Sequence, residues 1–375
     1  MPTEVIKTIK PAGGGDYTSL NSWEVANRKD LVAADEVSVP ECYSGGSCIT
    51  PGSTFVMNST SWTTDATRRI VVRAATGEEH VGVWDTGKAY IESTSTGGSA
   101  LILRNSIDAF LEKMQFKATD ATVVSECISS TNDLGAVTLD VDRCIVRYTT
   151  TAINSLGALH FKGASGTVKN SVIIENTGTG YSQGVLRCSS TGSITAYNTT
   201  VISQGTGVGQ RAAIFCRDAG STVTTQNCYI AFEGSAGGCY ISVASGVINQ
   251  GSTDATINTE ATSVSLQNVP YSTATFQSVT AGAENLQHTD TSTLLNTGTD
   301  LTSSGVVFDI LGAARPQSSS YDIGAFEILP NGPSAVDITT TTTLLRNIDT
   351  AQVELMQIDT AQVELRDIDT AWSLE

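Results

Sequence analysis

The segments Leu159-His-Phe-Lys-Gly-Ala-Ser-Gly-Thr-Val-Lys-Asn170-Ser-Val-Ile-Ile, Leu186-Arg-Cys-Ser-Ser-Thr-Gly-Ser-Ile-Thr-Ala-Tyr-Asn198-Thr-Thr-Val-Ile and Ile214-Phe-Cys-Arg-Asp-Ala-Gly-Ser-Thr-Val-Thr-Thr-Gln-Asn227-Cys-Tyr-Ile-Ala follow one another in the chain. Set in register, the asparagine recurs after 28 and 29 residues (198 − 170, 227 − 198), and the leading aliphatic residue after 27 and 28 (186 − 159, 214 − 186). A glycine follows in each turn, at Gly166, Gly192, Gly220 and Gly246. A unit of this length, with two short strands broken by Gly, Ser, Asn and Thr and no helical period, predicts a stacked solenoid. No coil of this kind buries its apolar face alone. Stacked in parallel about 4.8 Å apart, equivalent side chains form ladders. The spacing therefore predicts one inner column of Leu159, Leu186 and Ile214 and a second of Phe161, Cys188 and Cys216. Asn170, Asn198 and Asn227 predict a turn ladder, because Asn tolerates left-handed backbone and its amide can bond along the stack.

The chain has 375 residues, 40% of them hydrophobic, with 34 Gly and 8 Pro. Its length alone suggests two or three domains, and the repeat overrides that expectation. No apolar run reaches the roughly 18 residues that span a bilayer, so membrane insertion is not expected. Met1-Pro-Thr-Glu-Val-Ile-Lys lacks a basic stretch followed by an apolar one and does not read as a secretion signal. An extracellular role would then be reached inside an assembled particle. The net charge of −17 argues against nucleic acid as a partner, since phosphate binding needs clustered Lys and Arg. The eight cysteines show no metal spacing. Cys127, Cys144, Cys188, Cys216 and Cys228 read as small buried side chains. Cys42 and Cys48 are the one pair near enough in sequence to suggest a bridge. No metal and no cofactor is expected.

Taken in order, residues 1–36 read as a terminal cap: a strand (Val5, Ile6, Ile9), a glycine turn, and a short helix. Thr18 or Ser19 would cap the helix, and Leu20, Trp23 and Val25 would face the first coil. An open solenoid end exposes unpaired strand groups, so a cover is physically expected. Residues 37–328 read as the solenoid, with strands at Val37–Val39, Ile70–Arg73, Val81–Trp84, Tyr90–Ile91, Leu101–Leu103, Met114–Phe116, Cys127–Ile128, Val137–Leu139 and Cys144–Val146. The pattern weakens after Ile248, where residues 249–305 read as irregular. Residues 329–345 read as a linker. Residues 346–375 carry a period of ten (Ile348-Asp-Thr-Ala-Gln-Val-Glu-Leu355, Ile358-Asp-Thr-Ala-Gln-Val-Glu-Leu365, Ile368-Asp-Thr-Ala-Trp372). Its apolar positions fit a tightly wound left-handed coiled coil. A strand fits less well, because Ile348 and Val353 have opposite parity. Either way the tail calls for a partner, most naturally two further copies in a homotrimer, or another particle protein.

Gly13-Gly14-Gly15-Asp16-Tyr17-Thr18-Ser19-Leu20 resembles the opening of right-handed, single-stranded parallel β-helix proteins of the pectin lyase-like superfamily. Leu294-Leu-Asn-Thr-Gly298-Thr-Asp300, Asp309-Ile-Leu-Gly312-Ala-Ala-Arg315-Pro316 and Tyr321-Asp322-Ile-Gly324-Ala-Phe326-Glu327 resemble the closing motif of bacterial and phage-borne β-helix proteins. The resemblance implies an all-β parallel β-helix whose last coil is the closing motif. There Arg315 and Asp322 would pair across a turn, and Gly324 would permit close backbone approach. It is nearly silent on function, because the fold hosts lyases, hydrolases, esterases and inert fibres.

For chemistry, Asp140-Val-Asp142-Arg143 is the best local candidate. Two carboxylates at i and i+2 share one strand face and would serve as acid and base in glycoside cleavage or as Ca²⁺ ligands. The competing reading is a solvated wall. The esterase pattern of the superfamily, Gln, two Asp and Arg on successive coils, has no residue-by-residue match. Asp120, Asp133, Glu175, Asp218 and Glu233 are weaker candidates. His80, His160 and His288 lie in unrelated segments, no Ser/His/Asp grouping is evident, and Gly205-Thr-Gly207-Val-Gly209 reads as a turn. Trp62, Trp84, Tyr148, Tyr181, Tyr197, Tyr229 and Tyr240 offer sugar-stacking surfaces, most of them better read as packing. These features predict a structural virion protein (phage spike, fibre or capsid decoration), assembled in the host cytoplasm, displayed outside, and able to bind host polysaccharide. The alternative is a polysaccharide-degrading β-helix enzyme.

Overall fold

The computed structural model describes residues 1–58, 62–94, 99–104, 107–120, 126–131, 137–150, 153–177, 181–204, 211–234, 237–259, 264 and 266–328. The chain divides into Met1–Pro330 and Asn331–Glu375. The linker and decad repeats, 329–375, lie outside the described residues, as do Asp133, Gly205–Gly209 and the side chains of Asp120 and Tyr181.

Three parallel walls form the stack of coils in the first unit. One holds nine strands, beginning at Thr3–Ile9 and Glu36–Cys42 and ending at Thr222–Gln226 and Val247–Asn249; the other two hold seven each. In the repeat, Gly157–Lys162, Ser165–Lys169 and Val172–Thr177 fall on three different walls. Each coil thus carries three strands where the sequence suggested two. The left-handed Asn170 is the corner that splits what reads as one run. The predicted columns are present: Leu159 pairs with Leu186 and Leu186 with Ile214, while Phe161 pairs with Cys188 and Cys188 with Cys216.

The asparagine ladder takes the conformation its chemistry allows, with φ of 47°, 44° and 54° at Asn170, Asn198 and Asn227. Arg143 (φ 53°) and Lys113 (φ 56°) extend the same corner to earlier coils. Asn227 Nδ2 donates to Asn198 Oδ1 at 3.3 Å, and Asn170 Nδ2 to Asp142 Oδ1 at 3.0 Å. Gly166 is no turn residue. It sits inside its strand opposite Ile194, where a Cβ would stand 1.8 Å from the Leu139 carbonyl and 3.0 Å from the Phe161 ring. The large ring of Phe161 occupies the volume that the missing side chain leaves.

At the amino end, helix α1 (Leu20–Asn27) is capped by Ser19, whose Oγ accepts from the Ser22 amide at 3.2 Å. Leu20 and Trp23 are fully buried, and Trp23 stacks on Trp62 at 5.6 Å. Val25 faces solvent instead, 64% exposed, because it lies five residues from Leu20, well off the face shared by i, i+3 and i+4. Glu24 takes the inner place, bonding Arg28 and the Trp62 indole. Val81–Trp84 is a turn around Gly82 (φ 84°) and forms no strand. No helix among the described residues is long and apolar enough to cross a membrane.

The closing motif does not add a last coil. Residues 266–328 run back over the outer face of the wall that contains Ile145–Thr150, Val172–Thr177 and Tyr229–Phe232. Its outward side chains Ile145, Val172, Ile174, Ile202 and Tyr229 are apolar and pack under Val269, Phe276, Leu286 and Phe326. A parallel wall with apolar residues on both faces needs cover on both, which these continuous aliphatic runs already imply. Arg147, buried in that cover, bonds Glu284 and the Gly282 carbonyl. Gly324 (φ 98°) approaches as expected, with a Cβ position 2.9 Å from Thr200 Oγ1. Arg315 pairs with Glu327 at 2.7 Å and reaches only the backbone carbonyl of Asp322. The Asp322 carboxylate instead accepts from the amides of Asn296 and Ile328. All eight cysteines are free and buried, Cys42 and Cys48 among them.

Candidate functional site

Asp140 and Asp142 do share the outer face of the strand Thr138–Asp142, half-buried on the nine-stranded wall. Both are committed to neighbours. Asp140 pairs with Arg69 at 2.7 Å and accepts from the Thr167 amide and hydroxyl at 3.1 and 2.7 Å. Asp142 accepts from Arg143 Nε at 3.0 Å, and Arg143 Nη2 donates to Glu112 at 2.5 Å. These charges are matched within a coil (Asp142 with Arg143), to the adjacent coil (Arg143 with Glu112) and two coils away (Asp140 with Arg69), and opposite charges on one sheet face stabilise it. Asp218 accepts from the Ser190 amide at 3.2 Å. Glu175 is buried, and burial raises the carboxyl of Glu233 above its ordinary range. Trp62, Tyr148 and Tyr229 are buried, so they serve packing; Trp84 lies half-buried under Lys117. Tyr197 lies under Lys169, and the Tyr240 hydroxyl donates to Asp254 at 2.9 Å. Among the described residues no group of three or more His, Cys, Asp or Glu is placed to hold a metal.

A different wall carries the richer constellation. Its strands Leu101–Arg104, Glu126–Thr131, Gly157–Lys162, Leu186–Ser189 and Arg211–Arg217 lie side by side. Side chains alternate across a strand. With Leu159, Leu186 and Ile214 inside, His160, Arg187 and Phe215 form one outer ladder, in the registered order His160↔Arg187↔Phe215. Lys162 pairs with Ser189 in the next outer row, and Arg217 follows the Cys188↔Cys216 pair as Ser189 does. Over these rows lies a cleft of about 470 Å³, within the size range of ligand sites.

Three of its residues are in line. Glu126 Oε1 lies 3.0 Å from His160 Nδ1, and His160 Nε2 lies 2.8 Å from Ser189 Oγ. A carboxylate only accepts, so Nδ1 carries the hydrogen; in the neutral ring Nε2 is then a base that accepts from the serine hydroxyl. Burial holds the imidazole below its ordinary pKa against the opposing pull of Glu126, and the Arg187 charge adds to the depression. The neutral form is thereby favoured.

Four cations, Arg104, Lys162, Arg187 and Arg217, line the same cleft, against the carboxylates Glu126 and Asp218. Arg217 pairs with Asp218 at 3.4 Å. Arg187 is 3% exposed, and its Nε and Nη1 have no hydrogen-bond partner among the described residues. Burial pushes its guanidinium down to about 10, partly offset by Glu126. A buried charge with unsatisfied donors is costly; the Phe215 ring, 5.6 Å from the guanidinium carbon, offsets part of that cost. Sequence reading placed His160 apart from any serine or carboxylate. The repeat alignment, read at its outward positions, puts His160 and Ser189 on one face but leaves Glu126 outside the aligned segments.

No protein-family model matches the chain, and no curated protein matches it. Among solved structures, a crystal structure of the pectate lyase Pel9A is similar at 12% identity and a TM-score of 0.33, over 88% of this chain and 97% of that one.

Proposed function

We propose that this chain is a β-solenoid rod that binds an acidic polysaccharide along its Arg187 wall, as a surface protein of a phage-like particle. The observation that carries the binding is the buried guanidinium of Arg187, whose Nε and Nη1 have no hydrogen-bond partner among the described residues. Arg104, Lys162 and Arg217 stand in the adjacent outer row, that of Ser189, on every second coil. Charges two coils, about 10 Å, apart along the stack suit a repeating polyanion better than a compact ligand. The whole chain carries a net charge of −17, which repels nucleic acid; a carboxylated sugar would be drawn by the cations local to the cleft. Right-handed winding, closure of the first coil by helix α1, trimerisation through residues 346–375 and display on a particle belong to this proposal. They are supported by the sequence resemblance and the decad repeat.

Affinity electrophoresis tests the binding. The chain should be retarded by polygalacturonate and not by neutral dextran, and Arg187→Gln should migrate almost freely in both. Equal mobility in the two gels would overturn the reading.

A further inference from the structure

We infer that the same cleft hydrolyses an O-acyl ester carried by the anionic saccharide, with Ser189 as nucleophile and His160 as general base. Glu126 is the positioning residue. The inference rests on the cleft holding an acidic saccharide, and adds chemistry to it.

The geometry meets the requirements of an activated serine. Nucleophile and base lie within hydrogen-bond reach, and a third group orients the base. The three residues come from three neighbouring strands of one rigid wall, so the alignment needs no loop closure. The backbone after the serine turns sharply, with φ of 54° at Ser190 and 66° at Thr191. The Ser189 carbonyl is tied by the amides of Gly163 and Gly192 at 2.8 and 3.1 Å. These bonds fix the residue that bears the nucleophile. Arg187 stands two residues before Ser189 on the same outer face. While it holds the saccharide's anionic group, its positive field also favours the negatively charged tetrahedral intermediate.

The steps balance without any further reagent than water. Ser189 Oγ bonds to the acyl carbon as its proton passes to His160 Nε2. The bond between that carbon and the sugar oxygen breaks, and the sugar oxygen takes the proton from Nε2. Water then attacks the acyl-serine, giving one proton to Nε2; the Oγ–carbon bond breaks and Oγ recovers the proton. The products are a free carboxylic acid and the sugar hydroxyl.

The test treats the whole chain with a fluorophosphonate probe and, separately, with acetylated polygalacturonate. We expect phosphonylation on the peptide containing Ser189, and acetate release that falls at least 100-fold in Ser189→Ala. Retardation by polygalacturonate should persist in that variant. Glu126→Gln should slow acetate release about 10- to 100-fold and move the midpoint of its pH profile lower, because the group that favours imidazolium is gone; Glu126→Asp should restore part of the rate. A purely structural Glu126 would leave the midpoint in place. If the unmodified chain is retarded by polygalacturonate but shows neither labelling at Ser189 nor acetate release, the ester chemistry is wrong and the binding stands. If retardation is absent as well, both fall.

Discussion

Asn198 Nδ2 donates to the backbone carbonyl of Asp322 at 2.8 Å, so the asparagine corner of the coil stack also holds the closing segment. The same side chain accepts from Asn227 and sits at φ 44°, fully buried. Asn198→Ala should destabilise the chain by about 2–3 kcal/mol: roughly 1 kcal/mol for a left-handed non-Gly residue and about 1–2 for the lost bonds of a buried amide. Asn198→Gly keeps the backbone term and should recover about 1 kcal/mol of the loss. Urea midpoints for the three chains give the order.

Gly324 lies against Thr200, whose Oγ1 accepts from the Ala325 amide at 3.1 Å. A methyl at Gly324 would stand 2.9 Å from that oxygen and force a residue at φ 98° into strain. Gly324→Ala should therefore loosen residues 266–328 from the wall before the coils themselves open. Limited proteolysis should show new cleavage confined to that segment, with the parallel walls still folded by circular dichroism.

Acid should unfold the chain through its histidines. Burial depresses His80 to about 4 and His288 to about 3, and lowers His160 as well. Lowered folded values mean stability present above the unfolded pKa near 6.5 and lost as pH falls through the folded values. Asp254 and Asp322 act oppositely. Burial raises both to about 6, so the stability they contribute is present below about 3.9 and lost as pH rises through 6. His288 is buried and lies against the Phe276 ring at 5.7 Å. His288→Leu should be close to neutral at pH 7.5 and should remove roughly 2–3 kcal/mol of the loss between pH 6.5 and 4. Thermal midpoints across that range provide the check.

The decad repeats predict that the full chain is a trimer and that a chain ending at Leu329 is a monomer that keeps the β signal of the coils and loses the helical signal of the tail. Light scattering on the two distinguishes this from a monomer in both cases.

The columns were legible because a solenoid repeats its neighbours: once Leu159, Leu186 and Ile214 align, every residue between them has a known partner one coil away. Alternation then assigns His160, Arg187 and Ser189 to the outer face, yet the pairing of His160 with Ser189 is diagonal, between adjacent outer rows, and was not evident from column matching. Glu126 was harder. It enters from an earlier coil outside the aligned triple, paired with Gly157. The path of residues 266–328 was not legible from local pattern, because what fixes it is long-range burial of outward Ile145, Ile174 and Ile202. The aliphatic runs Val172-Ile173-Ile174 and Val201-Ile202 carried a hint, since both faces of such strands need cover. Arg315 was expected to meet the Asp322 carboxylate; the terminal Glu327 takes it because two backbone amides already occupy that carboxylate.

Isothermal titration of the whole chain with oligogalacturonate, at two salt concentrations, tests the role of Arg187 most directly. Binding through Arg187 predicts measurable affinity that weakens with salt, and a loss of at least about tenfold in Arg187→Gln, the worth of one charge-assisted hydrogen bond. Identical affinity in the two chains, or no heat of binding in either, would contradict it.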